Sequence, residues 1–181
     1  MLAILVFQSG IDWQPYRFHE KEMFQYHIVQ KEEGSVEEGD YTISINGNQL
    51  SIKGTWENKK GSVTVQVDDP EQIPGQLFAQ MMFNPWLAPL GVTLFANTMI
   101  MPLALMGSSY MEQSEDGTTT KVEKGKPCSH AGKSGKELKV FQNGKLVYNL
   151  CVSKDVGLPL YMKMVSDDGS EYEVELVKYS R

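Results

Sequence analysis

Residues 72–111 (QIPGQLFAQMMFNPWLAPLGVTLFANTMIMPLALMGSSYM) contain no charged side chain and hold six of the ten methionines of a 181-residue chain that carries a net charge of -6. A water-soluble domain must bury such a stretch against something, because apolar surface on this scale drives either packing or association. Its internal grammar is helical with breaks. Asp69 suits an N-cap, Pro70 the first helical position and Glu71 the positive end of the helix dipole, although Pro74 weakens the first turn. Asn84-Pro85 ends this first helix, and residues 86–101 read as a second, closed by Pro102. The second segment offers only Thr93, Asn97 and Thr98 as polar side chains, and a helix without a polar face is normally surrounded on every side. Its length would also suit a bilayer span. Pro89, Asn97, Pro102 and the lack of flanking basic residues argue against one, leaving peripheral membrane contact as the milder version.

The rest of the chain speaks in strands. Phe24, Tyr26 and Ile28 alternate with polar residues, and Tyr41, Ile43 and Ile45 do the same before Asn46-Gly47 and the alternating Leu50 and Ile52. Asn-Gly between alternating runs predicts a hairpin whose two turn residues are Asn46 and Gly47, with Ile43 opposite Leu50 and Tyr41 opposite Ile52. A turn over 58–61 leads to Val63, Val65 and Val67. After the apolar stretch, residues 110–112 and 118–122 flank a turn, and a second Asn-Gly hairpin is centred on Asn143-Gly144. Leu160, Met162 and Met164 pair with Tyr172, Val174 and Leu176 across Asp167-Asp168-Gly169. The lysines between 121 and 139 are broken by Gly, Pro and Ser and read as solvated loop and strand edge.

These elements predict one α+β domain over 1–181: a curved antiparallel sheet, an open half-barrel of about nine or ten strands, whose concave face is covered by a helical insert at 70–106. Residues 1–22 are an irregular lead-in. Their first seven residues, MLAILVF, lack a basic region before them and a small-residue cleavage site after them, and read as the remnant of a signal peptide.

Chemistry-bearing patterns are sparse. His19, His27 and His130 stand far apart, His27 on the strand face opposite Phe24 and Tyr26. No nucleophile-base pairing, phosphate loop or pair of helical carboxylates can be picked out, so the chain is expected to be non-enzymatic and without cofactor. The acidic balance argues against nucleic acid. Cys128 and Cys151 allow a disulfide in an oxidising compartment or two reduced thiols, and the spacing does not suit zinc. The methionines fit either an irregular core or a pocket for flexible apolar chains. The second option names a hydrophobic lining of Leu77, Phe78, Met81, Met82, Trp86, Leu90, Leu94, Phe95, Met99, Met101 and Leu105 from the insert, with Tyr41, Ile43 and Leu160 from the sheet.

The C-terminal third carries a familiar order: Cys128, residues 131–135 (AGKSG), Asn143-Gly144-Lys145, Cys151-Val152-Ser153, residues 157–160 (GLPL), Asp168-Gly169 and residues 172–176 (YEVEL). This pattern, over about 128–179, resembles the end of periplasmic domains of the LolA/LolB-like lipoprotein-carrier superfamily. The resemblance implies an unclosed half-barrel in the bacterial periplasm or cell envelope that accepts a lipid acyl chain or other hydrophobic small molecule. If the chain is exported, Cys128 is expected to bond to Cys151, from a strand next to the one that carries Cys151. The alternative is a structural or interaction domain whose apolar insert docks on a partner, a membrane surface or a second copy.

Overall fold

The computed structural model describes residues 19–68, 72, 75–76, 79–80, 83–91, 110–113 and 117–181, with 85 and 110–113 placed by their backbone alone. Ten strands form one antiparallel sheet: β1 (Lys21–Glu32), β2 (Ser35–Asn46), β3 (Gln49–Trp56), β4 (Lys59–Gln66), β5 (Tyr110–Gln113), β6 (Thr119–His130), β7 (Lys133–Gln142), β8 (Lys145–Val152), β9 (Tyr161–Val165) and β10 (Glu171–Ser180). Their spatial order is β4-β3-β2-β1-β10-β9-β8-β7-β6-β5. Two meanders, β1 to β4 and β5 to β10, therefore meet where β1 pairs with β10.

The period-two patterning fixes which face is buried. Phe24 pairs with Ile43, Tyr26 with Tyr41, Ile43 with Ile52 and Ile45 with Leu50. All of these are buried, and the row continues through Val174, Met162, Leu150 and Leu138 across the second meander. A one-residue slip would turn each strand's apolar set outward, so this burial pins the register. The intervening loop 153–160 joins the same core through Val156, Leu158 and Leu160, and Tyr26 Oη donates to Pro159 O at 2.9 Å.

Several expectations are corrected in detail. Asn46 pairs with Gln49, so the first hairpin turns on Gly47 and Asn48, with a positive φ at Gly47 alone. Ile45 therefore faces Leu50 and Ile43 faces Ile52; the predicted face survives because moving the turn by one residue shifts the pairing by two, which keeps the parity of the faces. The next turn is not 58–61 but Glu57-Asn58, both at positive φ, with Gly61 inside β4. The Asn143-Gly144 turn is as expected, with both residues at positive φ and Gln142 opposite Lys145. The lysine-rich segment is not loop: it supplies β6 and β7, joined by Ala131-Gly132.

The sheet is open, with β4 and β5 as its two edges, and the half-barrel curl expected of a long meander is not shown. Nor is a continuous helical insert. Within 72–91 the described residues 75–76, 79–80, 83 and 88–91 are helical, and a 3-10 turn at Pro85–Leu87 running into 88–91 meets the sheet. No helix among the described residues is long and apolar enough to cross a membrane.

Candidate functional site

The insert reaches the sheet through residues 86–91. Leu87 and Leu90 are fully buried in the core, and the Trp86 ring stacks on Tyr41 with centroids 6.2 Å apart and planes 8° from parallel. Trp86 needs a gap beneath it, which Gly61 on β4 provides: a Cβ there would lie 2.3 Å from the indole. Polar anchors complete the junction. Tyr41 Oη donates to Trp86 O at 2.7 Å, and Tyr172 Oη donates to Pro89 O. Just upstream, Leu87 N donates to Asn84 O at 2.8 Å, and Asn84 Nδ2 donates to Gln80 O at 2.8 Å. Two backbone carbonyls of this segment thus accept from phenolic donors on the sheet. Burial lifts the Tyr41 hydroxyl's pKa well above its ordinary value, and burial first, then Glu22, does the same to Tyr26. Both remain hydrogen donors at physiological pH.

Trp86, Leu90, Tyr41, Ile43 and Leu160 are the predicted lining residues that the structure describes, and all five belong to one apolar cluster. Leu77, Phe78, Met81, Met82, Leu94, Phe95, Met99, Met101 and Leu105 lie outside the described residues. Leu87 and Tyr172 were missed. The alternation on β10 already placed Tyr172 beside Val174, and that parity was the available signal.

The opposite face of the sheet carries the other constellation. Cys128 and Cys151 form a disulfide with their Cα atoms 6.1 Å apart. They are not on neighbouring strands as expected, since β7 lies between β6 and β8. The bridge crosses β7 at Gly135, which pairs with Cys128 and whose missing side chain leaves room: a Cβ there would lie 2.5 Å from Val152 O and 3.1 Å from Cys151 Sγ. His130, near the tip of the β6–β7 hairpin, stacks on Tyr161 with centroids 5.1 Å apart and places Nδ1 3.0 Å from Glu175 Oε1. Lys133 Nζ lies 4.9 Å from the centre of the Tyr179 ring. Burial, then the carboxylates of Glu173, Glu175 and Glu171, push the Tyr161 hydroxyl's pKa up. His27, expected at the surface, sits on this outer face with Nδ1 2.9 Å from Asp40 Oδ1.

A shallow depression of ≈ 360 Å³ on β6 and β7 is lined by Thr119, Lys121, Glu123, Phe141 and Gly144. Lys121 and Glu123 spend their charges on each other across 2.5 Å, so no convergent polar set faces a ligand there. Among the described residues no group of three or more potential metal ligands gathers.

No family model matches the sequence, and no curated protein matches it significantly. Among solved structures, the crystal structure of MucB in complex with the periplasmic part of MucA is similar over 88% of this chain and 50% of that one, at 13% identity and a TM-score of 0.42. The Pseudomonas aeruginosa MucA/MucB complex is similar over 89% and 52%, at 12% identity and a TM-score of 0.43. The chain thus spans about half the length of these proteins. The likeness is a distant structural one, and it does not establish the lipoprotein-carrier superfamily.

Proposed function

We propose that this chain is a non-enzymatic, exported interaction domain whose apolar segment docks on a protein partner. One observation carries the reading. Phe83 is 82% exposed, while Leu87 and Leu90 in the same charge-free stretch are fully buried. The sheet takes up residues 86–91 of the insert, and an aromatic ring only four residues before Leu87 is left facing water. Exposed apolar surface of this kind, continuous in sequence with a docked segment, fits a binding partner better than a closed core. The disulfide fits an exported chain, since such bonds persist in oxidising compartments. MucB is described with MucA in the two complexes named above; the present reading rests on this chain's own surface.

A photo-crosslinking residue at position 83, activated in intact cells, tests the reading. One ultraviolet-dependent adduct of defined protein mass is expected, lost when a charged residue is placed at position 87. Absence of any protein adduct sinks it. The hydrophobic-ligand reading draws on the methionine-rich composition of the insert, and native mass spectrometry showing a co-purifying lipid would favour it over a protein partner.

A further inference from the structure

β7 pairs with β8 only from Lys136 onward, whereas its pairing with β6 continues to the turn. Residues 127–135 are therefore a two-stranded ribbon with no third strand paired beside them among the described residues. Such a ribbon is marginally stable in water by itself.

The base of the ribbon is built to bend. On β6 the register slips between Lys124 and Pro127, and Gly125 packs so closely on Glu137 that a Cβ would fall 2.1 Å from its Oε2. The displaced amide of Lys126 donates to Glu137 Oε2 at 3.4 Å. A bulge of this sort bends a strand locally. On β7 the matching flexible point is Gly135. In a flat sheet, strands two apart are separated by roughly 9.5 Å. Cys128 and Cys151 are 6.1 Å apart, so the ribbon folds over the sheet instead of extending it.

What it folds over is one register row. Cys151 on β8 pairs with Tyr161 on β9, and Tyr161 pairs with Glu175 on β10. The ribbon runs along this row, with Cys128 bonded to its first member and His130 touching the second and third. Besides the disulfide, the contacts among the described residues include Ala131 packed at the margin of the apolar cluster, a stacked ring, a partly exposed histidine-glutamate pair and a cation over an aromatic ring. Each is of a kind that contributes little at a surface. The one strong restraint is covalent.

We propose that residues 127–135 are a redox-gated strap over the outer face of β9 and β10. An external dithiol attacks Cys128, the less buried of the two sulfurs, breaks the Cys128–Cys151 bond and closes into its own disulfide. Its two electrons and two protons pass to the cysteines, which become thiols. The ribbon then hinges away at Gly125 and Gly135, uncovering Tyr161, Glu175 and Cys151, the last only 2% exposed while the strap is shut. The covering segment carries His130 and Lys133, with Lys126 at its base, and the face beneath carries Glu173 and Glu175, so the strap occupies an acidic, aromatic face with a basic segment of the same chain.

Limited trypsin digestion of the folded protein, oxidised and after dithiothreitol, reads the opening directly. Cleavage after Lys133 should accelerate at least about tenfold on reduction, tracking the population of the open form, with no change after Lys53 and Lys59. A variant carrying both Cys128→Ser and Cys151→Ser should show the fast pattern without reductant. Equal rates at the strap in both states overturn the proposal. So does a uniform acceleration at every site with loss of the near-ultraviolet circular dichroism, which would make the bond a support of the whole fold.

Discussion

On the core face, the cover over β2 and β4 is apolar: Leu87 and Leu90 fully buried, Trp86 filling the gap above Gly61, and two tyrosine hydroxyls holding the backbone that carries them. On the outer face, the cover over β8 to β10 is polar and thin, a ribbon joined by one disulfide and a few surface contacts. The first cover is held by many weak terms that act together and cannot be released singly. The second is held by one bond that chemistry can break. A single sheet thus has one permanent lid and one conditional lid.

The largest test of this contrast is Leu90→Ala. Emptying a fully buried leucine site should cost about 2–5 kcal/mol in denaturant unfolding, equally before and after reduction. A loss below about 0.5 kcal/mol would mean that the segment rests on the sheet without joining its core. Next comes Gly135→Ala, whose Cβ meets the Val152 carbonyl at 2.5 Å. Backbone cannot give way as a side chain can, so a cost of about 1–3 kcal/mol is expected. Titratable thiols should appear in the purified protein as the bridge fails to form. Tyr172→Phe removes the donor to Pro89 O and should cost about 1 kcal/mol, measured by thermal unfolding.

Two smaller effects belong to the outer face. His130→Ala should change stability by less than about 1 kcal/mol in the oxidised protein, because the disulfide holds the ribbon with or without the ring. A large loss there would make the non-covalent contacts, and not the bond, the restraint. The hydrogen bond and charge of Lys163, with Lys31, hold the Glu171 carboxylate's pKa below its ordinary value. A depressed carboxylate contributes stability that is present above its unfolded pKa of about 4.3 and is lost as pH falls through the lower folded value. Lys163→Met should move the Glu171 midpoint upward in a carboxyl-detected NMR titration.

Sheet class and buried face were legible because each strand of the first meander repeats the same parity, and Tyr41 and Ile43 are buried as that parity requires. The register of the first hairpin was not. Asn46-Gly47 and Gly47-Asn48 are both acceptable turn pairs, and only the ladder chooses between them. The strap was hidden for a stronger reason. β6 ends in KGKPCSH, where a glycine, a proline and lysines erase alternation, and these are the residues that the bulge and bend require. Local sequence there reports the kink and not the strand. The disulfide was legible as a pairing, but its span across β7 was not, because the space above Gly135 exists only once three strands are side by side.

The meeting of β1 with β10 sets an order on how this chain can acquire its structure. Every other strand pairing links neighbours in sequence, so each meander can form from local contacts as it leaves the ribosome. The ladder that runs from Met23↔Ser180 to Lys31↔Glu171 must wait until β10, at the far side of the second meander, has been synthesised. Until then β1, which carries Phe24, Tyr26 and Ile28, is paired with β2 alone and leaves its other edge open, a state that favours aggregation or a protecting chaperone. Glu22, buried beside the Tyr179 hydroxyl at 2.6 Å, is the polar clasp that forms when this last seam closes.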